Sequence, residues 1–167
     1  MSEGIFAAAL ASKTLYGLSS SYMESKAIGL ESSIEAQRLE KNARLAELQA
    51  KDAEIQGKKD ATAYKVKINQ LIGSQRASMA AQGIEVNADS ALDIQLETKE
   101  LGAVDAQTIR NNAFREATGY RIQSIGYSSQ AGYTRISGKT KARNTLLTGG
   151  LQTANDLISG IYTLKNK

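Results

Sequence analysis

The side chains with chemistry to offer begin with a heptad of charge pairs, Glu40 with Arg44, Glu47 with Lys51 and Glu54 with Lys58. Each acid stands four residues before its base, the order that stabilises a helix surface by about 0.2 to 0.5 kcal/mol per pair. That is structural chemistry. The 167 residues contain no cysteine and no histidine, so a thiol nucleophile, an imidazole base and any metal site built on sulfur or imidazole are excluded. Serine–lysine or paired-carboxylate chemistry survives on paper, but no glycine-flanked nucleophile motif accompanies it. No GxGxxG, phosphate loop, zinc spacing or nucleic-acid module is present either. The expectation is a non-enzyme with no catalytic residue, metal or cofactor.

Proline is absent, where average usage of about 5% would supply roughly eight, so long uninterrupted helices are expected. Aromatics are 5% of the chain and alanine supplies much of the apolar content. Alanine permits close helix approach but buries little area, so stability must come from long helix contacts or neighbouring subunits. At 100° per residue, Leu39, Ala43, Ala46, Ala50 and Ala53 form one seam, and Ile34, Leu45, Leu48 and Ile55 form another roughly opposite. A helix with two seams needs two partners, as in a bundle or a ring of subunits.

Helix building pauses at "SMAAQGIEVNADSALD", Ser78 to Asp93. Gly83 suits a left-handed helix end, Ile84 to Val86 a short extended segment, and Ser90 with Asp93 a capping-box-like restart beside Asp89. The tip predicts an all-α fold: a long antiparallel helical hairpin with an additional C-terminal helix, assembling as a ring or tube. Its parts are an N-terminal arm over 1–82, a tip over 83–89, a second helix over 90–137 and a low-charge helix over 138–167 packing near the N-terminus.

The charge distribution agrees with that reversal. Residues 58 to 81 carry Lys58, Lys59, Lys65, Lys67 and Arg76 against one acid, and residues 85 to 105 carry six acids against Lys99. If residues whose numbers sum to about 172 lie side by side, Lys67 meets Asp105 and Arg76 meets Glu97. In the second helix Ile94, Leu101, Val104, Ile109, Phe114, Ala117 and Tyr120 are the expected buried positions. The repeated Gly119-Tyr120, Gly126-Tyr127 and Gly132-Tyr133 suggest close backbone approach beside a ring.

The two ends share a character. Gly4 to Met23 holds one charge, Lys13, and Asn144 to Leu164 holds one, Asp156. Each is about as long as a bilayer is thick, yet neither is apolar enough for a constitutive membrane helix, so they read as conditionally membrane-active. The membrane-contact candidates are Ile5, Phe6, Leu10, Leu15, Leu146, Leu147, Leu151, Leu157, Ile158 and Ile161. Small residues including Gly149, Gly150 and Gly160, with Ala7 to Ala11 opposite, suit tight pairing. Lys139, Lys141 and Arg143 before the last segment, and Lys165 and Lys167 after it, suit anionic head groups.

Two stretches, "GSQRASMAAQGIEVNADSALD" (Gly73 to Asp93) and "LGAVDAQTIRNNAFREATGYR" (Leu101 to Arg121), resemble internal virion proteins of short-tailed bacteriophages, the small core or ejection proteins. The resemblance covers roughly Gly73 to Arg135. It implies a ring near the portal, release ahead of the genome, and reassembly as part of a channel across the host envelope, commonly at the outer membrane. The implied partners are further copies of the chain, other core, portal or tail proteins, host outer-membrane lipid and, transiently, DNA. It carries over no catalytic residue. Arg110, Arg115, Arg121 and Arg135 are candidates for the lumen or for subunit contacts. A soluble virion adaptor or scaffold without a membrane role is the alternative.

Overall fold

A computed structural model describes residues 2–165, with side chains described from residue 8 onward except at Leu164. The described residues are helical apart from the tip, and two long helices form a hairpin-like pair. The first, α1, runs Ser2–Ala81 and the second, α2, runs Asp89–Lys165. No separate C-terminal helix exists: α2 continues unbroken through 138. Gly138, the expected break, faces Ser32 so closely that an added Cβ would collide with the serine side chain. It serves close approach, not termination.

The turn follows from its hydrogen bonds. Gly83 adopts φ 74°, its N–H donates to the Ala80 carbonyl at 3.0 Å, and the Ile84 N–H donates to the Met79 carbonyl at 3.0 Å. This pair of bonds closes a helix on a left-handed residue, and glycine enters that conformation without steric penalty. The restart differs from the capping box expected at Ser90 and Asp93. Ala88 accepts the first helical bond, from Leu92 at 2.9 Å, so Asp89 is the first helical residue and Ser90 already lies inside the turn. Asp89 still sits against the positive end of the helix dipole. The tip is fastened by Gln95, buried, whose amide donates to the carbonyls of Val86 at 3.0 Å and Ala91 at 2.9 Å.

Contacts divide the chain into two units. One comprises residues 1–42 with 126–167, the other 43–125. In each, the helices meet through a seam of small residues at alternating steps of three and four. Ala36, Leu39 and Ala131 form a buried cluster with Tyr127 against it in the first unit. In the second, Ala43, Ala46, Ala50 and Ala61 are buried on α1, and Ala91, Ala106 and Ala117 on α2. Gly57 stands so close to Ala113 that a Cβ would strike the alanine Cβ, and Gly102 is similarly covered by Ile68. The numbers of Ser21 and Gly149, Ser32 and Gly138, Gly57 and Ala113, and Ile68 and Gly102 each sum to 170. The pairing is therefore two residues tighter than the sequence suggested.

Of the expected alanine seam of α1, Leu39, Ala43, Ala46 and Ala50 are buried and Ala53 is half-buried, while the second seam is open: Ile34, Leu45, Leu48 and Ile55 are each about half exposed. On α2 the expected core needs correction. Ala117 is buried and Ile109 and Tyr120 half-buried, but Ile94, Leu101, Val104 and Phe114 are exposed. Close helix approach selects small side chains for the seam and turns the large ones outward. Gly119, Gly126 and Gly132 also face open space instead of backing a neighbour.

The expected charge pairs change partners too. Glu40, Glu47 and Glu54 do not bind Arg44, Lys51 and Lys58. They reach across to α2, with Glu40 on Arg135 at 2.8 Å, Glu54 on Arg121 at 2.8 Å and Glu47 on Arg121 at 3.9 Å. Lys67 and Asp105, and Arg76 and Glu97, form no ion pair. Asp105 instead accepts from the Tyr64 hydroxyl at 2.7 Å.

Candidate functional site

The terminal unit, 1–42 with 126–167, brings the two low-charge segments against each other. Gly149 lies on Ser21, Gly160 on Leu10, and Gly17 on Thr153. The hydroxyls at this seam are satisfied within their own helices: Thr14 donates to Ala11, Ser21 to Gly17 and Thr153 to Gly149. Serine, threonine and glycine therefore pack here without orphaned polar atoms, and no buried side-chain polar atom lacks a partner among the described residues.

The one charge of each segment is spent on the other. Lys13 Nζ lies 3.1 Å from Asp156 Oδ2, joining α1 to α2. In water this exposed pair contributes about 0 to 1 kcal/mol.

The pair of helices is two-sided. Two clefts lie along one side, lined by Lys13, Ser20, Gln152 and Asp156 and, farther from the termini, by Glu24, Lys141, Asn144 and Thr148. None of the large aliphatic side chains Leu15, Leu18, Leu146, Leu157 or Ile161 lines them. At 100° per residue from seam positions Thr14 and Gly149, Leu15, Leu18 and Tyr22 on α1, and Leu146, Leu157 and Ile161 on α2, are turned about 40 to 120° in one rotational sense. Lys13, Ser20, Glu24, Thr148 and Gln152 are turned the other way. For antiparallel helices equal offsets fall on the same side of the pair, so these large apolar residues share one side and these polar ones the other, with Tyr16 and Ile28 also lining the clefts and Lys139 turned with the aliphatic residues.

Of the expected membrane contacts, Leu15, Leu146, Leu147, Leu151, Leu157, Ile158 and Ile161 are exposed, and Leu10 is half-buried against Gly160. Ile5, Phe6 and Lys167 fall outside the described side chains. The sequence reading missed Leu18 and Tyr22 on the apolar side, the latter with Lys26 over its ring at 5.3 Å to the centroid. It also missed the Lys13–Asp156 pair, although the numbers of these two residues sum to 169, one short of the common register. Among the described residues no helix is long and apolar enough to cross a membrane, and no cluster of acids is arranged to hold a metal ion.

The arginine candidates lie on other surfaces. Arg121 and Arg135 are engaged with glutamates of α1. Hydrogen bonding from Arg121 holds the Glu54 carboxyl below its ordinary range, and the same bond raises Arg121. Arg110 lines an open cleft with Glu54, Lys58, Gln107, Asn111 and Phe114, and Arg115 is exposed. At the tip, Gly83 turns the chain and Asp89 opens α2, with Ser90 and Asp93 already inside the helix. Comparison with protein families, with characterised proteins and with solved structures finds no match to this chain.

Proposed function

We propose that the chain is an internal virion protein of a short-tailed phage, ejected into the host envelope, that oligomerises and forms or anchors an outer-membrane channel for the genome. The observation that carries this reading is the two-sided terminal pair, whose low-charge segments hold one cation and one anion bound to each other. A wall made of such pairs presents leucine, isoleucine and tyrosine to lipid and a row of hydroxyl, amide and charged groups to water. Individual helices need not be apolar all round, because only one side of each meets the bilayer. Other core, portal or tail proteins position the ring in the virion, and DNA passes the polar side weakly, since strong phosphate contacts would stall it.

Purified protein added to dye-loaded vesicles of phosphatidylethanolamine and phosphatidylglycerol should release the dye. Leu157→Glu and Ile161→Glu should abolish release while leaving helicity intact, and Gln152→Glu, on the polar side, should preserve it. Absence of leakage at every protein concentration and lipid composition contradicts the reading. The adaptor alternative is favoured by one observation, that no described helix suffices to cross a membrane. It predicts that deletion of 4–23 destroys assembly of a protein that never bound vesicles.

A further inference from the structure

Both helices carry large apolar side chains on the faces turned away from their shared seam, and those faces match each other in height. In the unit 43–125, Leu45 and Ile125, Leu48 and Ile122, and Val66 and Val104 are all exposed, by 49 to 65%, and each pair sums to the same 170 that governs the seam. At 100° per residue, Leu48 and Val66 point about 140° from Ala61, and Val104 and Ile122 about 160° from Ala106. These pairs cannot meet within one chain, because both members face outward. They would meet if a second copy stood alongside at the same height, its α1 against the first copy's α2. The unit 1–42 with 126–167 repeats the pattern independently, with exposed Met23 and Leu147, and Ile34 and Ile136, again summing to 170.

One pair of charges on these outward faces is complementary close to that register. Asp52 on α1 and Arg115 on α2 each point about 180° from the seam, their numbers sum to 167, three residues from the common 170 and within reach of an arginine side chain, and both are exposed with no ion pair in the chain. We propose that the outward face of α1 in 43–125 is the docking surface for the outward face of α2 of a second copy of this chain, at equal height and antiparallel. The interface repeats the geometry of the intramolecular seam with large residues in place of small ones. Because each copy offers two different faces, the contact is head-to-tail, and it closes as a ring where the rotation between copies permits. This deepens the assembly on which the proposed channel rests, and it names the surface.

Sedimentation velocity of the full chain at low salt tests it. The wild type should self-associate. Asp52→Arg and Arg115→Asp should each weaken association about tenfold or more, as expected for close charge pairs at an interface, and the double variant Asp52→Arg with Arg115→Asp should restore it. Leu48→Asp should abolish association, with circular dichroism confirming that the helices remain. A wild type that stays monomeric at all concentrations, or an oligomer indifferent to all four changes, overturns the interface. If the oligomer resists the changes while vesicles still leak, the channel reading stands without this surface. If the swaps behave as expected but vesicles never leak, the interface stands and the channel reading fails.

Discussion

Gly57 and Gly126 are both mid-helix glycines, and their surroundings assign them opposite roles. At Gly57 an added Cβ would strike the Ala113 Cβ, whereas at Gly126 nothing lies within 4 Å. Alanine gains roughly 1 kcal/mol over glycine from helix propensity, but overpacking costs about 1 to 3 kcal/mol. Thermal unfolding followed by circular dichroism should therefore show Gly57→Ala destabilised and Gly126→Ala stabilised. Arg121 supplies a second residue-level test. Its hydrogen bond lowers the folded-state pKa of Glu54, so the pair's contribution is full above the unfolded glutamate value of about 4.3. It is lost as pH falls below that, through the lowered folded value. Stability measured between pH 5 and pH 3 should fall more steeply in the wild type than in Arg121→Ala.

At the scale of elements, the tip rests on one left-handed residue and one buried amide. Gly83→Ala places a Cβ where φ is 74° and should cost about 1 to 2 kcal/mol. Gln95→Leu should cost about as much, by stranding the hydrogen bonds to Val86 and Ala91. Both are read from the midpoint of urea unfolding. The extent of α1 and the glycine at the junction were legible in the sequence, since no proline interrupts either arm and Gly83 is followed by β-branched residues, whereas α2 runs past the end expected for it at 137. Which apolar face closes the hairpin was only half legible. Leu39, Ala43, Ala46 and Ala50 were read correctly, but on α2 the large residues Leu101, Val104 and Phe114 were taken for the core that Gly102, Ala106 and Ala113 supply. Both faces follow helical spacing, and periodicity alone does not say which of them approaches closely enough to exclude a leucine. The Glu54–Arg121 contact was hidden for a related reason: within the helix Glu54 has an equally well-spaced partner in Lys58. The interhelical choice follows only from the register, which the position of the tip places two residues away from the observed 170.

At the scale of the whole molecule, the same arrangement recurs in each of the two units. Large side chains face outward wherever small ones form the seam, so each unit leaves an apolar face that a second copy or a lipid surface would cover. In the terminal unit this face lies opposite a polar side, and the two formal charges of the low-charge segments neutralise each other. Lys13→Ala, which leaves Asp156 without its cation, should hardly change stability in water, because the pair is exposed. Vesicle binding by the same variant, measured by co-flotation, should also stay unchanged, since Lys13 and Asp156 line the polar side that the proposed wall turns to water.

The chain contains no cysteine, so single cysteines carrying an environment-sensitive fluorophore can be placed without background. Labels at 15, 157 and 161 and at 20, 148 and 152, compared with and without anionic vesicles, test the two-sidedness most directly. Emission should shift to the blue with lipid at the first three positions and stay unchanged at the second three. Equal shifts at all six, or none at any, would contradict a wall with one side in lipid and the other in water.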